Sequence, residues 1–366
     1  MLRKFAIEGF RGFNRKLTFD LTKAHDYEFN THLVHDGIIS SGVIYGVNGS
    51  GKSSLGFAIF DIVGVLTDYE LAAPMKDRTA YINAESDRKF VLFEYEFVFD
   101  GKILSYEYNK TAPDEIIEEK LIYDGILILN RVKEHVEFYI NSALNIPSLS
   151  SNISALRFIY RNTQLPAMSP IVRLIKFVEK MLWFRSLNSR GYCGYTSGKS
   201  TLIDELYKMG KIREFEKFLN DIAGISLKFE VATSLASGAK ELYIKYPKRK
   251  VEFFRASSTG TQELLLLFYW KSFALNDIKF LFIDEFDAFY HFELAAKIVT
   301  EIGKHTEMQS FFTSHNTYLA NNKIMRPDCF FILSNGRITS FADATSRELR
   351  EGHNLEKLLR SGEFGA

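Results

Sequence analysis

The sequence predicts an α/β protein with a mixed core sheet, an antiparallel β subdomain and a helical insert, and three observations lead there. Residues 46–53 read Gly-Val-Asn-Gly-Ser-Gly-Lys-Ser, set between the short apolar run Val43-Ile44-Tyr45 and the helix-like stretch Ser54–Phe60. A second apolar run, Phe280-Leu281-Phe282-Ile283, ends in the adjacent carboxylates Asp284-Glu285. Between these two places, strand-like text from 90 to 140 gives way to helix-like text from about 145 to 224.

The chain opens on two alternating runs, Phe5–Phe10 and Lys16–Leu21, which read as a β-hairpin leading to the strand before residue 46. Phe90–Asp100 and Lys102–Tyr108 read as strands joined at Asp100-Gly101, a dipeptide suited to the left-handed backbone of a tight hairpin turn. Further strand-like pieces run through Leu121–Ile128 and His135–Ile140. Within 145–224 the stretches Ile171–Leu187 and Leu202–Ile222 carry apolar residues at three- and four-residue spacing, the mark of helices. No heptads are sustained there, which excludes a long coiled coil. The same region holds Ser197-Gly198-Lys199-Ser200-Thr201, which imitates the end of a phosphate loop; Cys193 stands where its first glycine is required, so it reads as a polar loop. After Ile225 strand character returns, and a strand-helix-strand-helix order fills 255–335. The basic run Lys245-Tyr246-Pro247-Lys248-Arg249-Lys250 reads as a solvated hairpin tip. The expected organisation is one head made of residues 1–144 and 225–366, with 145–224 inserted as helices.

Chemistry enters at residues 46–53. Glycines at 46, 49 and 51 let the backbone curl until successive N–H groups point inward at an anion, and the following helix N-terminus adds its partial positive charge. That is a phosphate-binding loop, the Walker A motif. Gly46, Asn48, Gly49, Ser50, Gly51, Lys52, Ser53 and Ser54 are its candidate nucleotide contacts. Lys52 is expected to reach the β- and γ-phosphates, and the Ser53 hydroxyl to ligate Mg²⁺. The buried strand ending at Asp284-Glu285 is the matching Walker B strand: Asp284 is expected to hold the Mg²⁺ shell and Glu285 to polarise the attacking water. Glu285, Lys52 and His315 are thus the candidate catalytic residues, with ATP and Mg²⁺ as the expected ligands.

The remaining motifs resemble those of ABC-type ATPases. Ser257-Ser258-Thr259-Gly260-Thr261-Gln262, followed by the apolar run Leu264–Leu267, is similar to a degenerate signature loop opening a helix. The resemblance implies that Ser258, Gly260 and Thr261 contact the γ-phosphate of ATP bound to a second subunit. Phe286-Asp287-Ala288 matches the place of the D-loop, and Phe311-Phe312-Thr313-Ser314-His315 is a strand ending in a residue similar to the switch histidine. The implied fold class is an ABC-type P-loop ATPase with composite sites in a homodimer or higher homo-oligomer.

A narrower resemblance, to the bacterial ABC-type AAA ATPases related to OLD proteins, rests on four features. They are Gly9-Phe10-Arg11-Gly12-Phe13, the Asp100-Gly101 hairpin, the Ser-x-Gly-Thr signature and Ile283-Asp284-Glu285, with a tail of the same character from His353 to Gly365. Members of that group, including the ATPase subunits of Septu, PARIS and retron-associated systems, commonly serve in antiphage defence. The resemblance implies a sensor or scaffold that controls a separate effector, a nuclease or other toxin, with DNA contact as a further option. This sequence departs from the pattern in three ways. No glutamine lies between Ser54 and Arg161, Tyr290-His291-Phe292 stands where relatives tend to carry Leu-His-Pro, and nothing supplies the acidic cluster of a Toprim domain. Slow or triggered turnover is therefore expected. The competing readings are a nucleotide-gated dimerisation module that never hydrolyses, and a DNA-repair or SMC-like ATPase, which the lack of heptads disfavours.

Composition bounds these readings. The 366 residues are 46% hydrophobic and 25% charged, with a net charge of +1, so nothing global advertises a polyanion partner. The 33 Phe and 18 Tyr fall mostly within apolar-periodic segments and are expected in the core. Two distant cysteines, Cys193 and Cys329, have no metal-ligand spacing and suit a reducing cytoplasm. The N-terminus shows no signal-peptide pattern. The most apolar stretch, Leu264–Trp270, is broken by Lys271 and falls well short of the ~20 residues a spanning helix needs, so no membrane association is expected.

Overall fold

A computed structural model describes residues 1–69, 73–139, 146, 148–185, 191–194, 202–234, 238–273, 277–288 and 290–365. The polar loop at 197–201 lies outside the described residues. The first elements are β1 (Leu2–Glu8), β2 (Leu17–Asp20), the two-residue strands β3 (Val34–His35) and β4 (Ile38–Ile39), and β5 (Ser41–Tyr45). The helices α1 (Lys52–Ile59) and α2 (Asp61–Leu66) follow. Then come β6 (Val91–Phe99), β7 (Lys102–Ala112), β8 (Glu115–Tyr123), β9 (Ile126–Val132) and β10 (His135–Phe138). The middle of the chain forms α3 (Ala155–Asn162), α4 (Pro170–Val178), β11 (Met181–Arg185), β12 (Gly191–Gly194), α5 (Leu202–Lys208) and α6 (Ile212–Ala223). A small sheet of β13 (Phe229–Thr233), β14 (Lys240–Lys245) and β15 (Lys250–Glu252) leads into α7 (Phe253–Ala256) and α8 (Thr259–Phe273). The last elements are β16 (Phe280–Asp284), α9 (Phe292–Gly303), β17 (Gln309–Thr313), β18 (Phe330–Ser334), β19 (Arg337–Ser340), α10 (Phe341–Ala344) and α11 (Leu355–Arg360).

Two seven-stranded sheets organise these elements. The core sheet runs β12-β11-β16-β17-β5-β18-β19, with β11 to β18 parallel and the two edge strands antiparallel. It is the expected mixed core sheet, and its central strands β5, β16 and β17 are buried at every residue, as parallel strands covered on both faces are. The second sheet, β10-β9-β8-β7-β6-β1-β2, is antiparallel throughout. Two of its hairpins turn on Asp100-Gly101 and on Asp124-Gly125, where both residues of each pair have positive φ. The Asp124-Gly125 turn also divides the expected strand piece 121–128 into the end of β8 and the start of β9.

The two sheets share one core. Phe19 on β2 meets Phe311 and Phe331 of the core sheet edge-on. Trp183 on β11 packs against Phe57 and Phe60 of the α1 segment. On the other side of that segment, Tyr95 of β6 donates to the Ala58 carbonyl at 2.9 Å. The Gln309 side chain stitches β1 to β17, accepting from the Leu2 N–H at 2.6 Å and donating to the Leu2 carbonyl at 2.9 Å.

The stretch Ile171–Leu187, expected as one helix, is helical only to Val178 and then forms β11. Met181-Leu182-Trp183-Phe184 are buried, and the pairing of β11 with β16 places them inside the core sheet. A run apolar on every side suits a strand covered on both faces, and its spacing alone does not separate that from buried helix. The region expected as a purely helical insert therefore lends β11 and β12 to the core. Leu202–Ile222 divides into α5 and α6 at Gly210, whose φ of +68° ends the first helix. The basic run is the expected hairpin tip: the Tyr246 N–H donates to the Arg249 carbonyl at 2.9 Å between β14 and β15. Among the described residues, no helix is long and apolar enough to cross a membrane.

Candidate nucleotide site

Parallel strands β16, β17 and β5 lie side by side, so the segments that follow their C-terminal ends open at one edge of the sheet. Such an edge is where open α/β sheets bind ligands. After β5 comes the glycine-rich loop, after β16 the acidic segment 284–287, and after β17 the segment 314–316.

The loop is shaped by two contacts that only glycine allows. A Cβ on Gly46 would sit 2.6 Å from the Leu333 carbonyl oxygen and 2.5 Å from Ser50 Oγ. Gly51, with φ +102°, ends the loop in a left-handed conformation against the Phe13 ring and starts α1. Asn48 and Gly49 stand exposed at the tip, while Ser53 and Ser54 lie half-buried in the first turn of α1. Lys52 is buried and folds over the loop, donating to the carbonyls of Gly46 at 2.8 Å and Val47 at 3.2 Å. Ser50 Oγ is buried without a hydrogen-bond partner among the described residues.

The acidic segment is held by the neighbouring strand. Asp284, buried at the end of β16, accepts a 2.7 Å hydrogen bond on Oδ1 from the Thr313 hydroxyl. The Glu285 N–H donates to the same hydroxyl at 2.7 Å. Glu285 has φ +51°, a left-handed conformation uncommon for a residue with a side chain. Asp287 accepts on Oδ2 from the Ser314 hydroxyl at 2.7 Å, and the Asn316 N–H donates to that hydroxyl at 2.8 Å.

Electrostatics tie these pieces into one cluster. Burial holds the Lys52 ammonium below the ordinary lysine value, and the carboxylates of Glu285, Asp284 and Asp287 oppose that shift. Burial also lowers His315, the Lys52 charge lowers it further, and the same three carboxylates pull it back. Asp287 is raised, by its own burial above all, against the Ser314 hydrogen bond. Lys52, Asp284, Glu285 and His315 therefore lie close enough to influence one another's ionisation. The cluster can present a cation, carboxylates and backbone donors to a polyphosphate.

The signature-like loop behaves differently. Ser258 is exposed at the junction of α7 and α8, and its hydroxyl lies 3.0 Å from that of Thr261 and accepts from the Thr261 N–H at 3.3 Å. Gln262 donates to the carbonyls of Phe254 at 2.8 Å and Ser257 at 3.0 Å, locking α8 onto α7. Gly260 is half-buried within the helix start. Among the described residues no hydrogen bond joins Ser258, Gly260 or Thr261 to the Walker A loop. Sequence reasoning passed over Thr313 and Ser314; two hydroxyl residues directly before His315, at a strand end next to Asp284, were the available signal.

Residues 239–321 match the model of a family described as "AAA domain, putative AbiEii toxin, Type IV TA system". That segment carries the signature-like loop, the Asp284-Glu285 strand and His315, and it is similar to an AAA domain. No curated protein matches the chain. Among solved structures, the SMC head domain from Thermotoga maritima is similar over 93% of this chain and 97% of its own, at 15% identity and a TM-score of 0.45. A Smc head domain with an extended coiled coil, bound to the C-terminal domain of ScpA and derived from Pyrococcus furiosus, is similar over 98% of each chain, at 14% identity and a TM-score of 0.48. Likenesses at these scores do not identify the chain, whose architecture stands on its own strand order.

Proposed function

We propose that this chain is a Mg²⁺-dependent ATPase of the ABC type that closes into a dimer on ATP. The observation that carries the reading is the convergence of Lys52, Asp284, Glu285 and His315 beyond three adjacent strand ends. The residues suit a bound triphosphate: a glycine cradle too tight for a Cβ, a buried lysine, and a Ser50 hydroxyl with no hydrogen-bond partner among the described residues. They also suit a divalent cation. Asp284 uses Oδ1 for the Thr313 hydrogen bond, while Oδ2 has no hydrogen bond among the described residues. No cluster of three or more His, Cys, Asp or Glu is placed to hold a metal among the described residues. Ser53 and phosphate oxygens would therefore complete the shell around Asp284, as a six-coordinate cation that keeps substrate ligands prefers.

When bound, Mg²⁺ neutralises charge developing on the transferred phosphoryl group. Lys52 leaves the Gly46 and Val47 carbonyls for the phosphates, Glu285 orients the water and takes its proton, and His315 reports the γ-phosphate. Ser258, Gly260 and Thr261 supply the other half of a composite site on a second copy, which fits an exposed serine with no bond to its own Walker A loop among the described residues. The absence of glutamine from 54 to 161 supports slow or triggered turnover. The OLD-like motif set, together with a family description that names a toxin system, supports a defence role as sensor or scaffold for a separate nuclease or toxin subunit.

The test is phosphate release together with solution mass. Wild-type protein is expected to release phosphate slowly, and Glu285→Gln to abolish it. The Glu285→Gln protein is expected to step up in mass with Mg-ATP and to lose that step when Ser258→Arg is added. A mass step without hydrolysis by wild type would instead make the chain a nucleotide-gated dimerisation module. Protein that binds no ATP would overturn the reading.

A further inference from the structure

The acidic segment 284–287 is fastened at two points to the end of β17 by consecutive hydroxyls, Thr313 to Asp284 and Ser314 to Asp287. Thr313 is fully buried, and its single hydroxyl proton goes to Asp284 Oδ1. A lone pair on the same oxygen receives the Glu285 N–H. One side chain therefore sets the rotation of the Asp284 carboxylate and stabilises the left-handed backbone on which Glu285 stands. Valine, of nearly the same shape, provides neither interaction, whereas serine provides both.

We infer that Thr313 is a positioning residue for the bound cation: it commits Asp284 Oδ1 to itself and so presents Oδ2 to Mg²⁺, while holding Glu285 in place beside it. The inference rests on the proposed nucleotide site and assigns a role to a residue outside the Walker motifs. A hydrogen-bond partner that orients a metal ligand typically contributes 10- to 100-fold to metal affinity or activity. Thr313 is fully buried behind Asp284 and Glu285, so its effect is expected to be confined to the part of nucleotide binding that depends on the metal.

The experiment is ATP binding by isothermal titration calorimetry on the full chain, once with excess Mg²⁺ and once with EDTA. Wild type is expected to bind more tightly with Mg²⁺. Thr313→Val is expected to lose about 10- to 100-fold of the Mg²⁺-dependent affinity and to match wild type in EDTA. Thr313→Ser is expected to restore the Mg²⁺ dependence, which a purely space-filling role would not do. Should Thr313→Val fail to fold, Thr313→Ala is read in its place, since it leaves room for water at the two freed groups. Undiminished Mg²⁺ dependence in the folded variant, or a serine variant as impaired as valine, overturns the inference while the nucleotide site stands. Wild-type protein that binds no ATP, or binds it equally with and without Mg²⁺, overturns the underlying site and the inference with it.

Discussion

Replacing Lys110 by Met tests how the antiparallel sheet is fastened to the helices behind the phosphate loop. Asp61 opens α2, Lys110 lies on β7, and their side chains are 4% and 1% exposed. The ammonium bonds both carboxylate oxygens, at 3.0 and 2.9 Å, and lies 5.5 Å from the centre of the Tyr81 ring. Tyr81 and Tyr108 donate hydroxyl hydrogen bonds to the same carboxylate, at 3.2 and 2.9 Å. Methionine keeps most of the lysine volume and deletes its charge, leaving a buried anion with two neutral donors. Breaking a buried pair from one side costs about 3–5 kcal/mol, and the retained tyrosines put this site near the lower end, about 3 kcal/mol. With an unfolding entropy of roughly 2.1 cal/mol/K per residue, the 366 residues give about 0.77 kcal/mol/K, so Tm falls by about 4 °C. Thermal unfolding followed by circular dichroism reads this directly. Adding Asp61→Asn is expected to recover at least half of the loss, because a neutral amide needs no cation and still accepts from a tyrosine. A single variant within about 1 °C of wild type, or a double variant less stable than the single one, would refute the reasoning.

Two further outcomes follow from the loop itself. Gly46→Ala forces a Cβ against the backbone carbonyl of Leu333, which cannot rotate aside. It is expected to cost about 1–3 kcal/mol of stability and to abolish ATP binding; calorimetric binding equal to wild type would refute the close approach. Because burial lowers Lys52 in the free protein and phosphate charge favours its protonated form, binding takes up a proton once the pH passes that lowered value. ATP affinity is therefore expected to fall as pH rises through the alkaline range toward the ordinary lysine value, and to stay flat in Lys52→Arg if that variant binds. A flat wild-type profile would count against a buried, phosphate-facing amine.

What was legible in the sequence is what is local in it. The Walker A loop is a backbone shape written in closely spaced glycines, and Asp100-Gly101 is a turn written in two residues; both need only neighbours to be understood. The Asp284-Glu285 strand end was legible for the same reason. The misread element was β11, where four consecutive buried residues carry no period, and only pairing with β16, a hundred residues later, makes them a strand. The polar fastenings were invisible for a related cause. Asp61 and Lys110 are 49 positions apart, and Thr313 meets Asp284 across 29. Neither partner has a local reason to be unusual, because an aspartate at the start of a helix reads as an ordinary first-turn carboxylate. The signature-like loop marks the limit of this logic. Its hydroxyls are spent on starting α8, and in the proposed composite site what an exposed Ser258 adds to catalysis is decided by a surface of another copy. A composite site is complete only in the assembly, so the mass measurement on Glu285→Gln and its Ser258→Arg derivative tests what neither one sequence nor one chain contains.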